Sequence, residues 1–472
     1  MREIVTLCIG NCGIKLGEKF WSSVLTDHGI DSDGIHDQSQ DTTTISKAQL
    51  YGTDVLFNQD KNQTFRPRSI FVDFSPGSIN TLRSGPLGSL FTSNYVYSKS
   101  DVSRNNWASG FYVDGEEVIE DIMTLVDKEV EMCDSIQGFQ IIHSISGGTG
   151  AGLGSLVAKK LRDSVLPTDS SAEIVSPYNQ VLTLHHLIES ADITTLYDDS
   201  ILCDRLKQQK YLGGGDTKKE ISHNQLNSFI GPAINASTWS FRFPGGGEGG
   251  GSSNRHHHHH SQSMDKMYMN MVPYPRMHFL VSGLIDQQPQ KQSSEEVDVV
   301  QVHDINSDFF NGNNFMLKPD PLGKYIGASF IYKQQQQGLF SQKDIDESLS
   351  KLESLHSLDF IPDCFKSFIC NIPTTSSSSS STSTFNQNNN NNNQNNFEYF
   401  ENNEPSGIIL ANTSRYESMY RRRAFTSWYI SQGMDGLEFE ESLENVRDLI
   451  SEYQIRSPVE DDEEEEEEQV HE

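Results

Sequence analysis

Along the first 200 residues, short apolar runs alternate with longer amphipathic stretches. Ile4 to Ile9 is almost continuously apolar over strand length and predicts a buried strand. It runs into Gly10-Asn11-Cys12-Gly13, then into helical periodicity through Trp21 and Leu25. Ser69 to Phe74 predicts a second strand, closed by Ser75-Pro76-Gly77, and Glu116 to Cys133 a helix. Phe139 to Ser144 predicts a third strand. It enters Ser146-Gly147-Gly148-Thr149-Gly150-Ala151-Gly152, and a helix with Leu156, Val157 and Leu161 follows. Strand, Gly-rich turn and helix, repeated, predict an α/β fold with a doubly wound parallel sheet.

Beyond residue 200 the pattern changes. Asn224 to Phe241 has a helical period, broken from Gly245 to His260 by a glycine run and five histidines (His256 to His260). Met264 to Val272 is helical again. His278 to Gly283 and Tyr325 to Tyr332 predict strands of a second, smaller α/β domain. The Ser/Thr and Asn-rich tracts within 376–406 lack the apolar residues to bury surface and are expected to be disordered. Arg415 to Tyr453 predicts a helical pair around Gly433. The expected organisation is therefore a nucleotide-binding domain at 1–200, a central helix and second α/β domain at 201–375 with an insert at 246–260, a low-complexity segment at 376–406, a C-terminal helical hairpin at 407–456 and an acidic tail at 457–472.

Charge sharpens this picture. The 472-residue chain carries a formal net charge of -30, and ten acids with no Lys or Arg lie between Glu460 and the last residue. Such a chain repels a phosphate backbone, so no nucleic-acid partner is expected, and its tail suits cationic partners. Its low apolar content, 35%, reflects dilution by the polar tracts. The six cysteines include no Cys-x-x-Cys pair, which argues against a zinc site or a disulfide framework. The N-terminus is unlike a secretory signal, and no apolar run approaches the roughly 18 residues that span a bilayer, so no membrane partner is expected. The plain expectation is a reduced, soluble, cytoplasmic protein.

A Gly-rich turn between strand and helix cradles phosphate because glycine lets the backbone approach an anion and the helix N-terminus adds positive potential. Gly147 to Gly152 has that form. It lacks a P-loop lysine, so backbone N–H groups must do the binding. A merely tight turn is the alternative at this stage.

The segment Ser146 to Gly152 resembles the tubulin signature, and other matches follow in the family's order. They include Met-Arg-Glu-Ile at 1–4, Arg83-Ser84-Gly85-Pro86, Asn105-Asn106-Trp107-Ala108, Pro177-Tyr178-Asn179, Phe241-Arg242-Phe243-Pro244-Gly245 and Asn270 to Arg276. The first three favour the β type. The resemblance implies a tubulin-like fold with an N-terminal GTPase domain, a structural role in the cytoskeleton, GTP or GDP as ligand, Mg2+ as its companion, and head-to-tail pairing with an α-type tubulin. It also implies cationic motor or associated proteins as partners of the tail. Gly10, Asn11 and Cys12 are expected in the first phosphate and base loop, with Asn11 where the family usually has Gln. Ser144, Gly148, Thr149 and Gly150 are expected at the phosphates. Asn227 is expected at the guanine, with Asp199 where a second base-contacting Asn is usual and His223 where a Tyr usually stacks.

Several positions depart from the family. Ser75 stands where an acidic residue supports the metal, and a hydroxyl is a poorer Mg2+ partner than a carboxylate. Val102-Ser103-Arg104 replaces a glycine-rich turn before Asn105, and the segment at 164–174 leaves no room for one family strand. Lys266 stands where α-type subunits carry a catalytic Glu and β-type subunits a Lys, so no catalytic residue is assigned and hydrolysis would be completed by a neighbouring subunit. Two alternatives stay open: a tubulin-like binding protein that does not polymerise, and a degenerate paralogue. The histidine run reads as a solvated repeat with weak metal affinity, Cys12 as a small residue beside the nucleotide, Arg421 to Arg423 as a solvated helix face, and Trp428-Tyr429 as core.

Overall fold

The computed structural model describes residues 3–36, 49–91, 95–97, 105–162, 176–212, 221–243, 263–285, 306, 310, 314–317, 324–334, 342–357, 361, 364–372, 407–413, 432–435 and 437–455. Residues 102–104, 164–174, 246–260, 376–406, 421–423 and 428–429 and the acidic tail, on which the sequence carries expectations, lie outside them.

The chain opens with β1 (Glu3–Ile9), fully buried, which passes directly into α1 (Gly10–His28). A short antiparallel pair, β2 (Phe57–Gln59) and β3 (Phe65–Pro67), precedes β4 (Ser69–Asp73). Then come α2 (Pro76–Ser84), β5 (Tyr95–Tyr97), α3 (Asp114–Glu131) and β6 (Ile136–His143). These strands form a sheet of order β5-β4-β1-β6, parallel throughout. Burial on both faces explains why β1 and β4 read as near-continuous apolar runs. Alternation does the rest: Val5, Leu7 and Ile9 face one core with Ile122 and Leu156, while Ile4 and Cys8 face another with Phe20, Trp21 and Phe71. The first domain is thus doubly wound, as expected.

After β6 come α4 (Gly154–Arg162), α5 (Ser176–Ser190), β7 (Thr194–Leu196) and α6 (Asp199–Leu212). The central helix α7 (His223–Ser237) packs along α1 so closely that a Cβ on Gly231 would lie 2.6 Å from Cβ of Lys19. The helix expected through Phe241 breaks at Thr238, and α8 (Trp239–Arg242) resumes it. Ser237 and Thr238 turn their hydroxyls back onto the carbonyls of Ile234 and Asn235, at 2.7 Å each, which competes with the helical ladder.

A second sheet has order β10-β9-β11-β8-β7. It follows α9 (Met264–Met271) and consists of β8 (Phe279–Ile285), β9 (Tyr325–Gln334), β10 (Phe365–Asn371), β11 (Gly407–Thr413) and the early β7, with α10 (Gln342–His356) between β9 and β10. Two of its strands come from outside the range expected for the second domain. Residues 194–196, read with the first domain, pair with β8. Residues 407–413, read as the start of a helical hairpin, are a strand antiparallel to both β9 and β8; Ile408, Ile409 and Leu410 favour the pleat. The described C-terminal helix is α11 (Glu438–Ile455), which lies against α5 and buries Phe439, Leu449 and Tyr453.

Candidate phosphate and base site

The site forms at the carboxyl ends of β1 and β6. The helix after β1 packs into one core and the helix after β6 into the other, on opposite faces of the sheet, and open parallel sheets bind ligands at the carboxyl ends of their strands. Ile9 is extended, and Gly10 turns the chain at φ +76°, a left-handed value that a side chain strains to adopt. No side chain caps the start of α1, whose N-terminal end carries the positive pole of the helix dipole.

The glycine loop approaches this turn. A Cβ on Gly10 would sit 3.1 Å from the Gly150 nitrogen and 3.5 Å from Cβ of Thr149, so the two turns meet only because Gly10 has no side chain. The loop is held from behind. Ser146 N–H donates to Ser144 Oγ at 3.2 Å, and the two hydroxyls lie 3.1 Å apart. The amide of Asn179, fully buried, donates to the Gly147 carbonyl at 3.3 Å and accepts from the Trp107 N–H at 3.2 Å. The helical segment at Thr149–Leu153 also starts without a side-chain cap. Two helix beginnings that no side chain caps thus converge on one crevice, an arrangement suited to an oxyanion ligand.

Asp73 adds a carboxylate that the sequence reading missed. It ends β4, is buried, and hydrogen-bonds to Ser78, to the Ser75 N–H at 3.3 Å and to the Thr149 side chain. Burial pushes its carboxyl above the usual range, against those hydrogen bonds. The available signal was an acid at the carboxyl end of a parallel strand. Ser75 is occupied otherwise: its Oγ accepts from Gly77 N–H at 3.4 Å and caps α2. Asn179 was visible only as part of a matching tripeptide.

On the base side, Asp199 opens α6 and His223 opens α7. Burial raises the Asp199 carboxyl, and the His223 imidazole opposes that shift. Asn227 lies one turn beyond His223 and is buried. The start of α7 is fixed by a reciprocal cap between Ser222 and Gln225. Cys12 packs against the apolar cluster that contains Leu202 of α6 and Leu226 of α7, which joins the first turn of α1 to both helices. Asn11 and Asn105 are exposed, and Lys266 is exposed in the first turn of α9.

Residues 3–206 match the Tubulin/FtsZ family GTPase domain, and residues 275–423 match the Tubulin C-terminal domain. The chain is 32% identical to the tubulin beta chain of Enteroctopus dofleini, with 96% of this chain and 95% of that one aligned. It is likewise 32% identical to the tubulin beta-6 chain of Gallus gallus, at 96% and 95% coverage. To the nucleomorph tubulin beta chain of Guillardia theta it is 31% identical, with 96% of each aligned.

Proposed function

The chain belongs to the tubulin family, and from that premise we propose that it is a β-like tubulin that binds GTP or GDP and pairs head to tail with an α-type tubulin in the cytoskeleton. The observation that carries the reading is the approach of Gly10 to Gly150, which brings two uncapped helix starts onto one crevice. Backbone N–H groups at Gly10–Asn11–Cys12 and Gly148–Thr149–Gly150 hold the phosphates, with Ser144 bracing the loop. Asn227 reads the guanine edge by paired amide hydrogen bonds, Asp199 accepts from its N–H groups, and His223 stacks. Asn105 stands at the phosphate side.

Of the groups near Thr149, Asp73 supplies the donor a hydrated Mg2+ requires: a carboxylate held beside the phosphate loop. Ser75 contributes a cap instead of a ligand. Bound there, Mg2+ would neutralise phosphate charge. Lys266 provides no general base, so this chain does not activate hydrolysis in a neighbour, and its own nucleotide is hydrolysed by an α-type partner. The acidic tail attracts cationic motors or associated proteins in the cytoplasm.

The direct test is to denature purified protein and separate what it releases by chromatography. Stoichiometric GDP or GTP supports the reading. Gly150→Trp, which fills the cradle, is expected to come out empty; nucleotide retained by that variant would refute the site. A second reading, a nucleotide-holding protein that does not polymerise, is favoured by the capping role of Ser75. Nucleotide-loaded protein that fails to co-pellet with microtubules would select it.

A further inference from the structure

Away from the nucleotide cradle, α5 and α11 meet around a group of ligating side chains that the proposed function leaves unused. His185 and His186 are consecutive on α5, and Glu189 follows one turn after His185. A nitrogen of each imidazole and a carboxylate oxygen of Glu189 all lie within 4.8 Å of one another. His186 is 6% exposed, and its buried Nε2 makes no hydrogen bond. That nitrogen stops 4.0 Å from Oε1 of Glu438 on α11, too far for a hydrogen bond. A buried ring nitrogen left without a partner calls for an explanation, and an ion between it and the carboxylates supplies one.

We propose that His185, His186 and Glu189 bind a divalent transition-metal ion of the zinc class, with Glu438 completing its shell and α11 thereby tied to α5. Two imidazoles and a carboxylate are the donors such an ion selects over calcium or magnesium. The set is partly pre-oriented. The rings of Trp107 and Phe111 lie nearly parallel to that of His186, at 12° and 21°, and fix its plane. The Tyr112 hydroxyl donates to both Glu438 oxygens, at 2.9 and 2.8 Å, and aims the carboxylate. His185 Nε2 lies 4.0 Å from Glu189 Oε1.

Ligand atoms around a tetrahedral ion stand about 3.3 Å apart, so the set must contract. Glu189 can do so because its side chain is 60% exposed, and it also leaves the site open to solvent. Binding through His185 Nε2 requires its Nδ1 to carry the proton. The Asn445 amide, whose Nδ2 lies 2.9 Å from that Nδ1 and whose Oδ1 accepts from Arg276 Nη2, then turns to present its oxygen to the ring, and Arg276 gives up that bond while keeping the Asn445 backbone carbonyl and its ion pair with Glu452.

The test uses the full chain with His256→Asn through His260→Asn, so that the histidine run does not contribute. Chelator-stripped protein is titrated with Zn2+ against a colorimetric indicator and with Co2+ for its visible absorption. A single saturable equivalent, a four-coordinate cobalt spectrum and an EDTA-reversible rise in Tm are expected. Glu189→Gln and His185→Gln, both at partly exposed positions, are each expected to weaken binding by about tenfold or more while the circular dichroism of the chain stays unchanged. Uptake that is undiminished in both variants would assign the metal elsewhere and overturn the proposal, as would the absence of saturable uptake in the parent chain.

Discussion

Arg242 and Asp27 stand 215 positions apart in the chain and 3.2 Å apart in the fold, the guanidinium with no exposed surface. Every arm of the arginine is used. Nη1 meets His28 Nε2 at 2.9 Å, Nη2 reaches Asn235 as well as Asp27, and Nε donates to Thr238 Oγ1 at 3.1 Å. Asp27 also accepts from Asn235 Nδ2 and Trp239 Nε1, at 2.8 and 3.0 Å. This network fastens the end of α1 to the α7–α8 junction, immediately before the long glycine- and histidine-rich insert.

Removing one partner of such a pair leaves a buried charge, which typically costs about 3–5 kcal/mol. Arg242→Leu is therefore expected to lower the urea midpoint severely, and Asp27→Leu combined with Arg242→Leu to recover much of the loss. A single variant within about 1 kcal/mol of the parent would show that packing alone holds the junction.

Several buried histidines contribute to a pH dependence, His28 and His143 among them. Burial, with the Arg242 charge as the next cause, lowers His28 to about 3, and burial lowers His143 to about 4. Both values lie below the ordinary 6.5, so the folded chain refuses protons that the unfolded chain accepts. Their contribution is complete above pH 6.5 and is lost as pH falls toward 4 and 3. At pH 5.5 this pair alone should cost about 3 kcal/mol relative to pH 7.5, and His186 and His278 act in the same direction. Urea unfolding at the two values checks this, and equal stability would contradict it.

The metal reading divides Asp73 from Ser75. Asp73→Asn should abolish any gain in nucleotide affinity on adding Mg2+. Ser75→Asp preserves a capping oxygen for α2 and adds a carboxylate, so Mg2+-dependent affinity should rise. Both are measured by fluorescent-nucleotide titration with and without Mg2+. An Asp73→Asn variant with parental Mg2+ dependence would exclude that carboxylate.

At the base, a carboxylate accepts from guanine N–H groups but repels the carbonyl that xanthine carries at C2. Asp199→Asn supplies a donor. It should shift the ratio of XTP to GTP affinity by about tenfold or more toward XTP, because a buried polar mismatch is expensive. An unchanged ratio would remove Asp199 from the base edge.

The parallel first sheet was legible because Ile4–Ile9, Ser69–Phe74 and Phe139–Ser144 are apolar runs that lead into turns or helices. The glycine-rich turn was legible because its glycines are local in sequence. Asp73 was not, since its importance depends on Thr149, which reaches it from another strand–helix turn. The Asp27–Arg242 pair is equally non-local. The strand at 407–413 was overlooked because it follows a tract of Ser and Asn and forms no pattern with its neighbours; only β8 and β9 make it a strand. The missing partner of His186 is likewise a property of packing between α5 and α11.

The place of β11 governs the order in which a nascent chain is completed. This strand lies between β9 and β8, yet it leaves the ribosome after both, and after a further 34 residues at 373–406. Until it arrives, β8 and β9 each present an unpaired edge, and those edges are open templates for other chains. The first sheet, whose described strands all lie before residue 144, has no such wait. A half-made molecule therefore carries a finished first sheet and an open second one, and the step most exposed to misassembly is the late insertion of seven residues into its middle.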